Sequence, residues 1–246
     1  MTLRFFHRRF LIVIALLALA VFAALPAVAQ DDALQTACEE IWGDWNAETQ
    51  RCESEVTYTI GIQYPIEFAA YDFMMEPVVA LINNQRDGIL GLRPFLDTPL
   101  DPAPGYSVNL NYESHAHSDN IVSLVYTVAY YTGGAHPNAN YETFTFDLEA
   151  GRRLTFDDLF PPANQPLDVI SPIAQAQLTE QQGEYADAEW IALGAGPDPV
   201  NFEDFALTED SVIFYFEPYQ VAAYAYGPSQ VEIPLADLAG VMTPLS

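Results

Sequence analysis

Alternation of apolar and polar positions begins at Glu55, where Val56, Tyr58, Ile60 and Ile62 interleave with Thr57, Thr59 and Gly61 until Pro65. A period of two is the mark of a strand with one face buried. From Phe68 to Leu92 the alternation is lost. Met74, Met75, Val78, Val79, Ile82, Arg86 and Ile89 recur there at helical spacing, with Pro77 tolerable only near a first turn. A connector containing Pro94, Pro99, Pro102 and Pro104 ends at Gly105. Three strands in succession are predicted next. Tyr106 to Glu113 places Val108, Leu110 and Tyr112 on one face, and Ile121 to Tyr131 is apolar on both, as a central strand should be. Tyr141 to Leu148 alternates again with Phe144 and Phe146 inward, so the three read as an antiparallel meander.

Beyond Gly151 the pattern predicts a short helix over 155–159 with Thr155 as its cap, and a longer one over 167–182. Short strands follow at 205–207, 212–216 and 231–233, with a helical turn at 235–238. The expected fold class is α+β: antiparallel sheets with packed helices in two small lobes, 55–148 and 149–246, behind an N-terminal disulfide loop.

The N-terminus has a separate character. Arg4, Arg8 and Arg9 precede an apolar run from Leu11 to Leu25, and Pro26 with Ala27-Val28-Ala29 follows. This is the pattern of a secretory signal over residues 1–29, cut between Ala29 and Gln30. The competing reading is an uncleaved anchor, the only route by which this chain would hold a membrane. Residues 30–54 contain both cysteines, Cys38 and Cys52. In an oxidising compartment they are expected to bond, closing a short loop worth about 3 kcal/mol in the chain-entropy picture.

Composition narrows the partners. Thirty-four acids oppose eight basic residues, all Arg, for a net charge of −26. Removing the signal would take away Arg4, Arg8 and Arg9 and no acid, making the mature chain more acidic still. Nucleic acid is excluded, because a polyanion must be met by Lys and Arg. With aromatic residues at 13% and charged ones at 17%, this is a folding sequence, and no disordered acidic tail.

Candidate chemistry is sparse. No nucleophile elbow, phosphate loop, dinucleotide fingerprint or zinc-type cysteine pair occurs. His115 and His117 share a face if extended, and Asp119 continues it, so the three are a candidate metal set for a small hydrolase. The plainer reading of 115–120 is a solvated turn. His136 belongs to the next turn of the meander, at its opposite end. Tyr219, Tyr224 and Tyr226 crowd one stretch and suit either an interface or packing beneath a loop.

The stretches YYTGGAHPN (130–138), FDLEAGRRLTFDDLF (146–160), ALTEDSVIFYFEPYQVAAYAYG (206–227) and VEIPLADL (231–238) resemble a bacterial domain of unknown function best known from the extracellular part of anti-sigma-V factors. Residues 55–130, with EVTYTIGIQYP and INNQRDGI, are similar to the companion module also found in some peptidoglycan deacetylases. The resemblance implies an exported α+β domain, secreted or in the periplasm or cell envelope, binding rather than catalytic and without a cofactor. It also implies a cationic protein such as lysozyme, or a cell-wall component, as partner. His136, Tyr219, Tyr224 and Tyr226 are the candidate contact residues by their own chemistry, although the Gly-Gly-Ala-His turn reads as mainly structural. Only ten residues precede the apolar run, so no sigma-binding domain is expected.

Overall fold

The computed structural model describes residues 35–36, 44–49, 51–53, 57–92, 105–133 and 135–245. The expected signal with its Ala29–Gln30 cut, and Cys38 of the expected disulfide, lie outside them. Strands β1 (Asp44–Asn46) and β2 (Arg51–Glu53) pair antiparallel with Trp45 opposite Cys52. The turn between them is closed by the Asn46 side chain, whose Oδ1 accepts the N–H groups of Glu48 and Thr49, each at 3.0 Å.

The main body comprises residues 57–92 and 104–246 as one compact unit. Strand β3 (Thr57–Ile62) is followed by helix α1 (Asp72–Leu90), then by β4 (Gly105–Ala116), β5 (Ile121–Tyr131), β6 (Asn138–Asp147) and β7 (Arg152–Leu154). These strands form one sheet in the order β3-β4-β5-β6-β7. The meander is antiparallel as expected, but β3 runs parallel to β4. An intervening helix returns the chain to the starting edge, and the next strand must then run the same way. Helix α1 buries Met74, Val78, Leu81, Ile82 and Ile89. Pro77 sits one turn inside it, so the first-turn position expected for this proline does not hold.

The second half supplies helices α2 (Phe156–Leu159), α3 (Leu167–Gln182) and α4 (Ala188–Gly194). Strands β8 (Phe205–Leu207), β9 (Ser211–Phe216) and β10 (Ser229–Pro234) make an antiparallel sheet with β9 central. Its core gathers Phe156, Phe160, Phe202, Phe214 and Phe216, with ring centroids 5.0 to 6.5 Å apart. Glutamines from α3 complete the free edge of β10. Gln177 donates to the Glu232 carbonyl at 2.7 Å and accepts the Glu232 N–H at 3.2 Å, while Gln181 donates to the Gln230 carbonyl at 3.0 Å.

The boundary expected near residue 148 falls inside the five-stranded sheet, because β7 pairs with β6 through Thr145↔Leu154. The two sheets also share a core of Val125, Ala206, Ile213 and Tyr215. Hydroxyls on the face of the larger sheet serve the edge of the smaller one. Ser123 Oγ accepts the Leu207 N–H at 2.9 Å, and Thr143 Oγ1 accepts that of Phe205 at 3.1 Å. Strand β5 is thus buried on both faces over most of its length, as the apolar residues on both of its faces predict.

Candidate functional site

Two loops distant in sequence meet beside the start of β6. The first is the β5–β6 turn. Gly133 takes φ +84° there, and a β-carbon on it would stand 3.1 Å from the Tyr106 ring, so conformation and space both call for glycine. The second follows β9. Residues Glu217 to Gln220 form a tight turn closed by the Gln220 N–H on the Glu217 carbonyl at 3.0 Å. Pro218 suits its second position. Its third position takes a positive φ, which glycine favours, and here Tyr219 holds φ +69°. A tyrosine in that region costs about 1–3 kcal/mol and persists only where the surroundings enforce it.

The enforcing contacts come from α4 and the segment after it. Trp190 Nε1 donates to the Tyr219 carbonyl at 2.7 Å. The Gln220 amide donates to the carbonyls of Gly194 at 2.9 Å and Asn201 at 3.2 Å, and its oxygen accepts the Glu217 N–H at 3.0 Å. Gly194 permits this approach, since a β-carbon there would lie 1.9 Å from the Gln220 carbonyl oxygen.

Between the loops lies a cleft of about 360 Å³ lined by Gln85, Tyr130, Asn138, Asn140, Glu217 and Tyr224, with Tyr219 beside them. His136 stacks on Tyr224 with centroids 4.2 Å apart and planes 20° from parallel. The Tyr224 hydroxyl donates to the Pro137 carbonyl, which ties the second loop to the first. The Tyr219 ring lies 5.5 Å from that of Tyr224 and is 61% exposed. The structure therefore gathers His136, Tyr219 and Tyr224 at one place. Tyr226 is exposed and stands outside the cleft lining.

Glu217 is the titratable group of this cleft. Burial pushes its carboxyl up to about 7, the nearby Asp204 and Glu142 add to the rise, and the Tyr141 N–H on Oε1 at 3.1 Å opposes it. No donor among the described residues meets its other oxygen. A carboxyl that is half ionised near neutral pH can both take and return a proton, which is what general acid–base chemistry needs. The sequence reading missed this residue, which is one acid among 34. Its local signal was the Glu-Pro-Tyr turn ahead of the tyrosine-rich stretch.

The other histidines do not form a metal set. His117 Nδ1 donates to the Thr208 carbonyl at 2.8 Å, and His115 Nε2 is buried without a partner among the described residues. Asp119 is exposed in the turn beyond them. Among the described residues no three His, Cys, Asp or Glu side chains stand together as metal ligands. The metal-hydrolase alternative on His115, His117 and Asp119 is therefore set aside: no such ligand cluster stands among the described residues, and the His115 Nε2 is enclosed by protein.

Two family descriptions match the chain: "Protein of unknown function (DUF3298)" over residues 157–236 and "Deacetylase PdaC" over 97–139. It is 34% identical to the immunogenic protein MPT64 of Mycobacterium tuberculosis over 204 residues, 81% of this chain and 85% of that one. It is 32% identical to the esterase Rv3036c of the same organism over 179 residues, covering 72% of this chain and 73% of that protein. It is also 30% identical over 135 residues to the Bacillus subtilis peptidoglycan-N-acetylmuramic acid deacetylase PdaC, which is 55% of this chain but only 29% of that enzyme. These relatives overturn the expectation of a chain without catalysis, since two of them are named for hydrolytic activities. No described helix is long and apolar enough to cross a membrane.

Proposed function

Because this chain belongs to the family of MPT64 and the esterase Rv3036c, we propose that it is an exported hydrolase that removes an acyl group from an envelope molecule, with Glu217 as its general base. The observation that carries the reading is Glu217 itself: a carboxyl with its pKa pushed up to about 7, in a cleft, on a turn that holds Tyr219 in a strained conformation. Strain of this kind clusters at functional sites.

In this mechanism the ionised Glu217 accepts a proton from water as the water oxygen adds to the acyl carbonyl. Asn138 and Asn140 line the same cleft. Their amide N–H groups would stabilise the negative oxygen of the tetrahedral intermediate. When the intermediate collapses, Glu217 returns the proton to the departing oxygen, giving a carboxylic acid and an alcohol. Tyr219 and Tyr224 would seat the ring or chain that carries the acyl group.

The test is hydrolysis of p-nitrophenyl acetate and of an O-acetylated oligosaccharide by the wild type and Glu217→Gln. Loss of about two orders of magnitude or more in kcat/KM, without a fall in melting temperature, supports the reading, and unchanged turnover ends it. Net charge −26 would also draw a cationic partner such as lysozyme to an envelope protein. Retention of lysozyme on the immobilised chain across a salt series tests that part separately.

A further inference from the structure

A second and larger cleft, of about 460 Å³, opens at the other end of β6. Thr143, Thr145, Arg153, Phe156, Asp157 and Glu203 are among its walls. A smaller hollow of about 220 Å³ continues from it across Phe156 and Pro199. The volume falls within the range of small-ligand sites.

Most polar groups on these walls are already satisfied. Thr143 Oγ1 donates to Asp204 at 3.1 Å and accepts the Phe205 N–H. Thr145 Oγ1 is engaged with Ser123 at 2.8 Å. Arg153 differs. Its guanidinium lies 4.7 Å above the Phe144 ring centre and gives one N–H to the Thr143 carbonyl at 2.7 Å. Arg86 and Arg152 each pair with a carboxylate, at 2.7 and 2.9 Å, whereas Arg153 makes no ion pair among the described residues. Burial lowers its pKa, and the field of Asp204 and Glu142 offsets only part of the fall. Arg153 is exposed on this wall, so the guanidinium N–H donors not given to Thr143 face solvent and are open to a ligand.

The charges in the cleft select against simple ligands. A bare anion would face Asp157 and Glu203 as well as a net charge of −26. A bare cation would face the guanidinium. An uncharged ligand covering the exposed Arg153 would take water from the guanidinium without offering it an anionic partner, which is costly. We propose that this cleft binds a short zwitterionic peptide, with its free C-terminal carboxylate on Arg153, its ammonium toward Asp157 and Glu203, and an apolar side chain against Phe156. The site is separate from the Glu217 cleft and does not depend on hydrolysis.

Isothermal titration of the purified protein with the dipeptide Ala-Phe, its C-terminal amide and its N-acetyl form tests this. Saturable binding of the free dipeptide is expected. The amide and the Arg153→Gln variant should each weaken it tenfold or more, and N-acetylation should weaken it several-fold. Equal binding of the amide, indifference to Arg153→Gln, or no binding of the free dipeptide would overturn the proposal. Should Arg153→Gln fail to fold, titration of the ¹⁵N-labelled wild type decides. Amide shifts must concentrate at Thr143, Thr145 and Arg153, and shifts centred on Glu217 and Tyr219 would count against the site.

Discussion

The indole N–H of Trp190 reaches 2.7 Å to the carbonyl of Tyr219, the residue with the left-handed backbone beside the cleft. Trp190→Phe keeps an aromatic side chain, though a smaller one, and removes the donor. It should cost about 1 kcal/mol of stability and lower turnover by loosening the turn. Tyr219→Gly should relieve the strained φ and leave stability unchanged or raised by up to about 1 kcal/mol, yet reduce activity through loss of the ring. Thermal melts together with ester hydrolysis separate the two effects.

Gly194→Ala would place a β-carbon 1.9 Å from the Gln220 carbonyl oxygen. The obstacle is backbone, so relief requires moving the 217–220 turn. A loss of about 2 kcal/mol or more is expected, together with loss of hydrolysis, read by denaturant titration and activity on the same preparation.

The pKa of Glu217, raised from 4.5 to about 7, fixes two pH dependences. The native state holds its proton more tightly than the unfolded chain, so this group favours folding below about pH 4.5. That contribution is lost as pH climbs toward 7 and is absent above it. The loss should be about 1 kcal/mol once solvent screening of a half-buried group is allowed for. Activity runs the other way, rising as the base ionises through pH 7. Glu217→Gln should flatten the stability change and abolish the activity, as pH-series melts and kcat/KM profiles would show.

Ser123 bridges the two sheets, its hydroxyl accepting the buried Leu207 N–H. Ser123→Ala strands that donor, and the expected cost is about 1–3 kcal/mol. The measurement is the urea midpoint at unchanged m-value.

Local pattern carried much of this fold. Helix α3 occupies Leu167–Gln182 as its periodicity predicts, and Thr155 stands at the N-cap of α2, where its N–H and hydroxyl both donate to the Asp158 carboxylate. The parallel partner of β3 was not legible, because pairing across an intervening helix leaves no mark on a strand's own alternation. Of the cleft, the aromatic members His136, Tyr219 and Tyr224 stood out as residue types. Their meeting depends on Gly194 and Gln220 holding a loop more than eighty residues from the β5–β6 turn, which no local spacing encodes. Glu217 was hidden for a different reason. A raised carboxyl pKa comes from burial and neighbouring charge, and both are properties of the folded surroundings.

The amide of Gln177 satisfies the donor and the acceptor of Glu232 much as a neighbouring strand would. An uncovered strand edge is a template on which a second molecule can add its own strand, the first step toward fibrous assembly. Many proteins guard such edges with charge, a defence that weakens in salt or when the charges titrate. In a protein so rich in carboxyls, acidification would strip away repulsion between molecules. The amides of Gln177 and Gln181 do not ionise, so the barrier to polymerisation along β10 should hold at low pH and high ionic strength alike.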